Sequence, residues 1–191
     1  MTPQRLVSVL GQEQVRAISR RYFVSNGFDG ALTCIGVVIG AFLTGVTDGQ
    51  IVVKIGLGAA IGLTTSGVWS VWEIERAEKL AELDRIEDAM LTDLSGTAVE
   101  RDKVIARGIN AVASGLGPLV SIVVPLLPFL AVGSLFTMLT ATATSVALGT
   151  GILFTFGSYM GSISGQRWYV AGVRMALAGV AVAAVNLLFG G

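Results

Sequence analysis

The sequence predicts an all-α membrane protein of five transmembrane helices, with span two extended into a cytoplasmic charged helix. Three observations carry that prediction. Of 191 residues, 53% are hydrophobic and only 14% charged, whereas a soluble domain carries ~25% charged residues to cover its surface. From Gly108 to Gln166 no residue is charged, a run long enough for two crossings and a turn at ~20 residues per crossing. The apolar runs do not alternate with period two, which excludes a closed membrane barrel.

The same composition removes several kinds of function. The chain has no histidine and one cysteine, Cys34. His-based acid–base catalysis, an internal disulfide and His- or Cys-rich metal sites are therefore absent. No nucleophile–base pair is visible, so neither an enzyme nor a resident cofactor is expected. Basic residues gather into no patch, which argues against a nucleic-acid partner.

The elements follow in chain order. Residues 1–21 are polar to mixed, and Val7, Leu10, Val15 and Ile18 form a weak apolar stripe. That stripe suits an amphipathic helix on the cytoplasmic membrane surface, or a frayed tail. No apolar core precedes a small-residue cleavage motif, so no cleaved signal peptide is expected. Residues 22–72 hold spans one and two, joined by the polar turn Thr47–Gln50. Span two has no breaker at its end and is expected to continue as a charged helix to Leu91. The acidic segment is residues 73–103; in it Ser95-Gly96 breaks the helix, and Thr97 with Glu100 has the spacing of a capping box. Residues 104–190 hold spans three to five, at about 105–132, 135–163 and 168–189, with turns at Gly133-Ser134 and Ser164–Arg167. Pro118, Pro125 and Pro128 remove backbone donors from span three and are expected to kink it.

Sidedness follows from the basic residues. With the N-terminus inside, residues 1–21, the 73–107 segment and the 164–167 loop hold 11 of the 13 Lys and Arg residues. The two outer turns hold none. The positive-inside rule then places the N-terminus in the cytoplasm and the C-terminus outside, as expected of a multi-pass protein of a prokaryotic cell membrane.

Asp29 is the outlier in span one. It lies eight residues past Arg21, or ~12 Å along a helix. Its side chain is too short to reach the interface, and a carboxylate at that depth costs ~2.5–3.5 kcal/mol. Two readings fit: an ion-handling carboxylate, or a structural pair with Arg174, which enters from the same side. Asn26 and Thr33 offer oxygen atoms near it, and Thr65 and Ser66 of span two offer more at similar depth. Glu73 stands at the cytoplasmic mouth of span two. These six residues are the candidate transport pathway.

The charged helix also has two readings. Glu75, Glu78 and Glu82 are spaced to share one face, and Glu87 and Asp88 follow. Such an oxygen-only cluster suits a hard or borderline divalent ion such as Mg, Ca, Mn or Fe(II), and Asp29 is a separate candidate metal ligand within the membrane. The other reading is a solvated helix with Glu75–Lys79 and Glu82–Arg85 ion pairs.

The segment Ser25-Asn26-Gly27-Phe28-Asp29-Gly30-Ala31-Leu32-Thr33 resembles the "NDGL" segment of the vacuolar iron transporter family. Span two with its charged extension, Pro125-Leu126-Leu127-Pro128-Phe129 in span three, and Arg174-Met175 leading into a small-residue last span match in order and spacing. The resemblance implies a five-helix homodimer that exports Fe(II), often Mn(II), from the cytosol in exchange for protons; five spans are few to enclose a pathway, which suits a pore at the two-fold interface. It places Asp29 on the family's intramembrane ion-binding aspartate. The family's span-two methionine falls near Ser66, and no methionine lies in this span, so harder ions than Fe(II) gain weight. The family's cytoplasmic metal-binding module is at best shortened here, with Glu78, Glu82, Glu87 and Asp88 its nearest equivalents. The rival reading is a membrane scaffold or lipid-binding protein whose Asp29 pairs with Arg174.

Overall fold

The computed structural model describes residues 3–90 and 97–189. Their helices are α1 (Pro3–Leu10), α2 (Glu13–Leu43), α3 (Gly49–Met90), α4 (Ala98–Leu126), α5 (Met138–Ile163) and α6 (Trp168–Phe189), with a 3₁₀ turn at Leu127–Ala131. Five of these are long and apolar enough to cross a membrane. Each chain reversal falls where polar or glycine residues release the helix. Gly45, Gly133 and Gly165 adopt positive φ of 77°, 89° and 68°, a region that L side chains rarely enter.

Three boundaries differ from the sequence reading. The helix of span one starts at Glu13 rather than near Tyr22, because nothing between Gln12 and the apolar run breaks it. Only Gly11-Gln12 interrupts the N-terminal segment, and α1 folds back so that Val9 and Val15 pack with Ala106 of α4. Arg5 fixes that return with a 2.7 Å ion pair to Asp102. Span three divides at Leu126: α4 accommodates Pro118 and Pro125, and Pro128 falls in the 3₁₀ turn. The expected break at Ser95-Gly96 and the helix end at Leu91 lie outside the described residues. Thr97 caps α4, accepting from the Glu100 backbone N–H at 3.5 Å. A full reciprocal capping box, Thr137 with Thr140, starts α5.

Lipid tails are as apolar as Leu, so burial alone does not hold spanning helices together; close approach of backbones does. α4 is the hub, packing along both α2 and α3, while α5 and α6 form a second pair against α2. At the α2–α4 crossing Gly27 and Gly30 meet Gly117 and Pro118. At the α3–α4 crossing Gly67 meets Ser114, and Gly115 meets Thr64 and Val68. Between the helices a core of Ala31, Ile35, Val38, Ile122, Phe129 and Leu153 is closed to the outside. The outward surface remains apolar at Ile55, Ile61, Leu130 and Leu188, as a lipid-facing wall requires.

Candidate functional site

The contacts set the depth of each polar group. Asn26 of α2 donates its amide to the Ser114 hydroxyl of α4. A Cβ on Gly67 of α3 would stand 3.3 Å from that same amide. Three helices therefore meet at one level. A helix turn toward the charged end, the Ser19 hydroxyl donates to Asn110 Oδ1 at 2.7 Å. Asn26 is thus an interhelical strut, turned into the subunit.

Asp29 is more open. Three residues past Asn26, it is exposed on the outer surface of the subunit, on the side of α2 that carries exposed Ser25. Thr33 spends its hydroxyl on its own helix, donating to the Asp29 carbonyl at 2.8 Å. Antiparallel α3 brings residues 64–66 to the depth of Asp29, since Gly67 is level with Asn26. Thr65 and Ser66 are exposed there, as are Gly62, Ser70 and Glu73. The outer surfaces of α2 and α3 therefore carry a carboxylate and hydroxyls at one level. Arg174 is exposed on α6. Among the described residues no ion pair joins it to Asp29.

The acidic face expected on the charged helix divides into separate environments. α3 runs unbroken from Gly49 through the charged segment to Met90. Glu75 turns inward and is 1% exposed. It faces the Tyr22 hydroxyl, and its Oε2 has no hydrogen-bond partner among the described residues. Glu78 is exposed, Glu87 half-buried and Asp88 exposed. Glu82 is held by Lys103 of α4 at 2.9 Å and by Lys79 at 3.4 Å, and the Lys103 ammonium beside it lowers its pKa, with burial opposing and Lys79 assisting. Glu73 pairs with Arg76 at 3.7 Å. Among the described residues the helix carries Glu73–Arg76, Lys79–Glu82 and Glu82–Lys103 ion pairs, where Glu75–Lys79 and Glu82–Arg85 were expected. Among the described residues no three carboxylate or thiol groups converge.

Sequence reasoning missed the struts Ser114 and Ser19 and the inward turn of Glu75. Asn186 donates to the Val182 carbonyl of its own helix at 2.9 Å. The small residues opposite Asn26 were the available signal for Ser114, because a polar group in hydrocarbon needs a partner within reach.

Five helices long and apolar enough to cross a membrane define a multi-pass membrane protein. Comparison with known families agrees: the model of the VIT family matches residues 70–191, and the chain belongs to that family. Membership points to handling of a metal ion rather than catalysis. The match covers the charged part of α3 and spans three to five, and leaves Asp29 outside it. The chain is also similar to the uncharacterized protein MJ0645 of Methanocaldococcus jannaschii, 28% identical over 166 residues, covering 85% of this chain and 84% of that protein.

Proposed function

We propose that this protein is a divalent metal cation transporter that exports Fe(II) or Mn(II) from the cytosol in exchange for protons, as a homodimer. One observation carries the reading. Asp29 holds a carboxylate on the outward surface of a spanning helix, with no cationic partner among the described residues. A lone carboxylate facing lipid is expensive; a second copy of the chain meeting this surface takes it out of lipid, and a cation or proton held between the two copies offsets the charge. Two such surfaces face to face place two Asp29 carboxylates, with Thr65 and Ser66 at the same depth, around a shared axis. Such a set contains only oxygen donors, which suits Mn(II) best and leaves Fe(II) as the borderline case. Asp29 then alternates between holding a proton and holding the ion, which is exchange. Asn26 positions α2 rather than touching the ion. Glu73, Glu78, Glu87 and Asp88 concentrate cations at the cytoplasmic mouth. Glu82 braces α3 on α4, and Glu75 stays inside the subunit.

The N-terminus lies in the cytoplasm and the C-terminus outside, in a prokaryotic cell membrane. The test is flux in proteoliposomes carrying a pH dye, with Mn(II), Fe(II), Mg(II) and Ca(II) offered separately. Mn(II) and Fe(II) drive counter-movement of protons in the wild type and none in Asp29→Asn, which keeps the size and one ligand oxygen but cannot ionise. Proton movement that is equal in the two proteins overturns the role of Asp29. A wild type silent to all four ions overturns transport itself.

A further inference from the structure

α4 presents a groove to the outside of the subunit at its charged end. Its volume is about 780 Å³, and its walls include Leu10 of α1, Arg16 and Ser19 of α2, Trp72 of α3, and Val112 and Leu116 of α4. Binding sites for small molecules fall in the range of ~300–1,000 Å³. Nothing in the transport reading uses this groove, because Asp29 and the α3 hydroxyls lie elsewhere.

We propose that the groove holds an acyl chain of an anionic phospholipid, with the head-group phosphate at Arg16. The walls supply the first argument. Apart from Arg16 and Ser19 they are apolar, and Val112 and Leu116 stand open to the outside. Length supplies the second. From Val104 to Leu116 the α4 wall rises ~18 Å, close to the ~15 Å that one leaflet contributes to the hydrocarbon core. The groove runs the depth of one lipid tail from a charged mouth to an apolar floor.

Charge decides which lipid. Arg16 is exposed, and among the described residues it has no ion pair. Arg107 lies with its guanidinium 4.0 Å over the Trp72 ring, and its Nε has no hydrogen-bond partner among the described residues. Asp102 of α4 is taken by Arg5, and among the described residues no carboxylate lines the groove. The Arg16 guanidinium at the edge of an apolar slot is complementary to a phosphate with a net negative charge, and Arg107, stacked on the Trp72 wall, adds positive potential nearby. Basic pockets between spanning helices at the cytoplasmic side recognise such head groups, and tryptophan sits well at that level.

The test titrates the full-length protein in detergent with phosphatidylglycerol and, separately, phosphatidylcholine, and counts retained lipid by native mass spectrometry. Phosphatidylglycerol is expected to be retained more tightly by the wild type. Arg16→Gln weakens its retention about fivefold, the worth of one basic residue at an anionic lipid surface, and leaves phosphatidylcholine unchanged. Arg16→Lys keeps most of the preference. Val112→Trp, which fills the groove from an exposed position, reduces retention of both lipids. Equal retention of the two lipids by the wild type overturns the proposal, as does phosphatidylglycerol retention indifferent to Arg16→Gln. Lipid retention unchanged in Val112→Trp while the dimer dissociates also overturns it, and assigns the groove to a second copy of the chain.

Discussion

Asn26 donates to the Ser114 hydroxyl across the α2–α4 crossing, and a Cβ on Gly67 would stand 2.9 Å from that same oxygen. A single polar contact thus sets the spacing of three helices, and the glycines around it keep the backbones close enough for it to form. An interhelical hydrogen bond in a membrane is worth ~0.6 kcal/mol on average. Its value here is register: it fixes which side of α2 looks inward and which side shows Asp29.

The glycines that permit this packing differ in what surrounds them, and that difference is measurable. A Cβ on Gly117 meets the Phe23 carbonyl oxygen and lies 2.8 Å from the Gly27 nitrogen, both backbone atoms that have nowhere to go. Gly117→Ala is expected to destabilise the subunit by ~1–3 kcal/mol, the usual range for overpacking, read as a lowered unfolding temperature in detergent. Gly58 and Gly62 have nothing within 4 Å, on the outward side of α3. Gly58→Leu should leave that temperature within the scatter of the wild type and weaken cross-linking between subunits.

Asp29 and Arg174 can be separated by a double-mutant cycle read as thermal stability. A buried ion pair that loses one partner is destabilised by ~3–5 kcal/mol. The two residues form no pair, so Asp29→Asn and Arg174→Gln should each shift stability by no more than ~0.5 kcal/mol. Their combination should be additive. A large loss in either single variant, recovered in the double, would restore the scaffold reading.

Glu82 makes a pH prediction. Lys103, helped by Lys79, lowers its pKa in the folded protein. Its contribution is therefore fully present above the unfolded glutamate value of ~4.3 and is lost as the pH falls through the lower folded value. Half of the Glu82 side chain is exposed, so the contribution stays below ~1 kcal/mol. Unfolding followed from pH 7 down to pH 3 should show a small acid-side loss that Glu82→Gln and Lys103→Gln each remove. An identical acid limb in both variants would detach the pair from stability.

Sidedness can be checked with single cysteines in a Cys34→Ser background. Ser134→Cys, in the turn after α4, should react with a membrane-impermeant maleimide on intact cells. Gln166→Cys, in the turn after α5, should react only after the cells are opened. Equal labelling of both positions on intact cells would defeat the five-span arrangement.

The spans and most turns were legible because hydrocarbon thickness imposes a length and lipid imposes a composition, both local properties of the chain. The turns at Gly133 and Gly165 fell where expected for the same reason. The direction of each side was not legible. Glu75 and Glu78 are one turn apart, yet one is enclosed and the other open, and only the register of α3 on α4 decides between them. That register rests on α3 glycines that meet α4 residues more than 40 positions further along the chain, Gly67 against Ser114 and Gly56 against Leu126. Asn26 and Asp29 are likewise one turn apart, yet Asn26 is half-buried against Ser114 and Asp29 is exposed. The NDGL-like segment identified the carboxylate but could not say that its neighbour is a strut.

α3 runs without interruption for 42 residues, ~63 Å at 1.5 Å per residue, about twice the ~30 Å of hydrocarbon it crosses. Between Gly67 and Met90 it contains neither glycine nor proline, so it has no hinge where a bend could be absorbed. It therefore behaves as a lever: a ~10° tilt within the bilayer swings a tip ~30 Å beyond the bilayer surface by ~5 Å. The Glu82–Lys103 ion pair clamps this arm to α4 partway along its length. A push at the charged tip is consequently delivered to the level of Thr65 by two helices turning as one body.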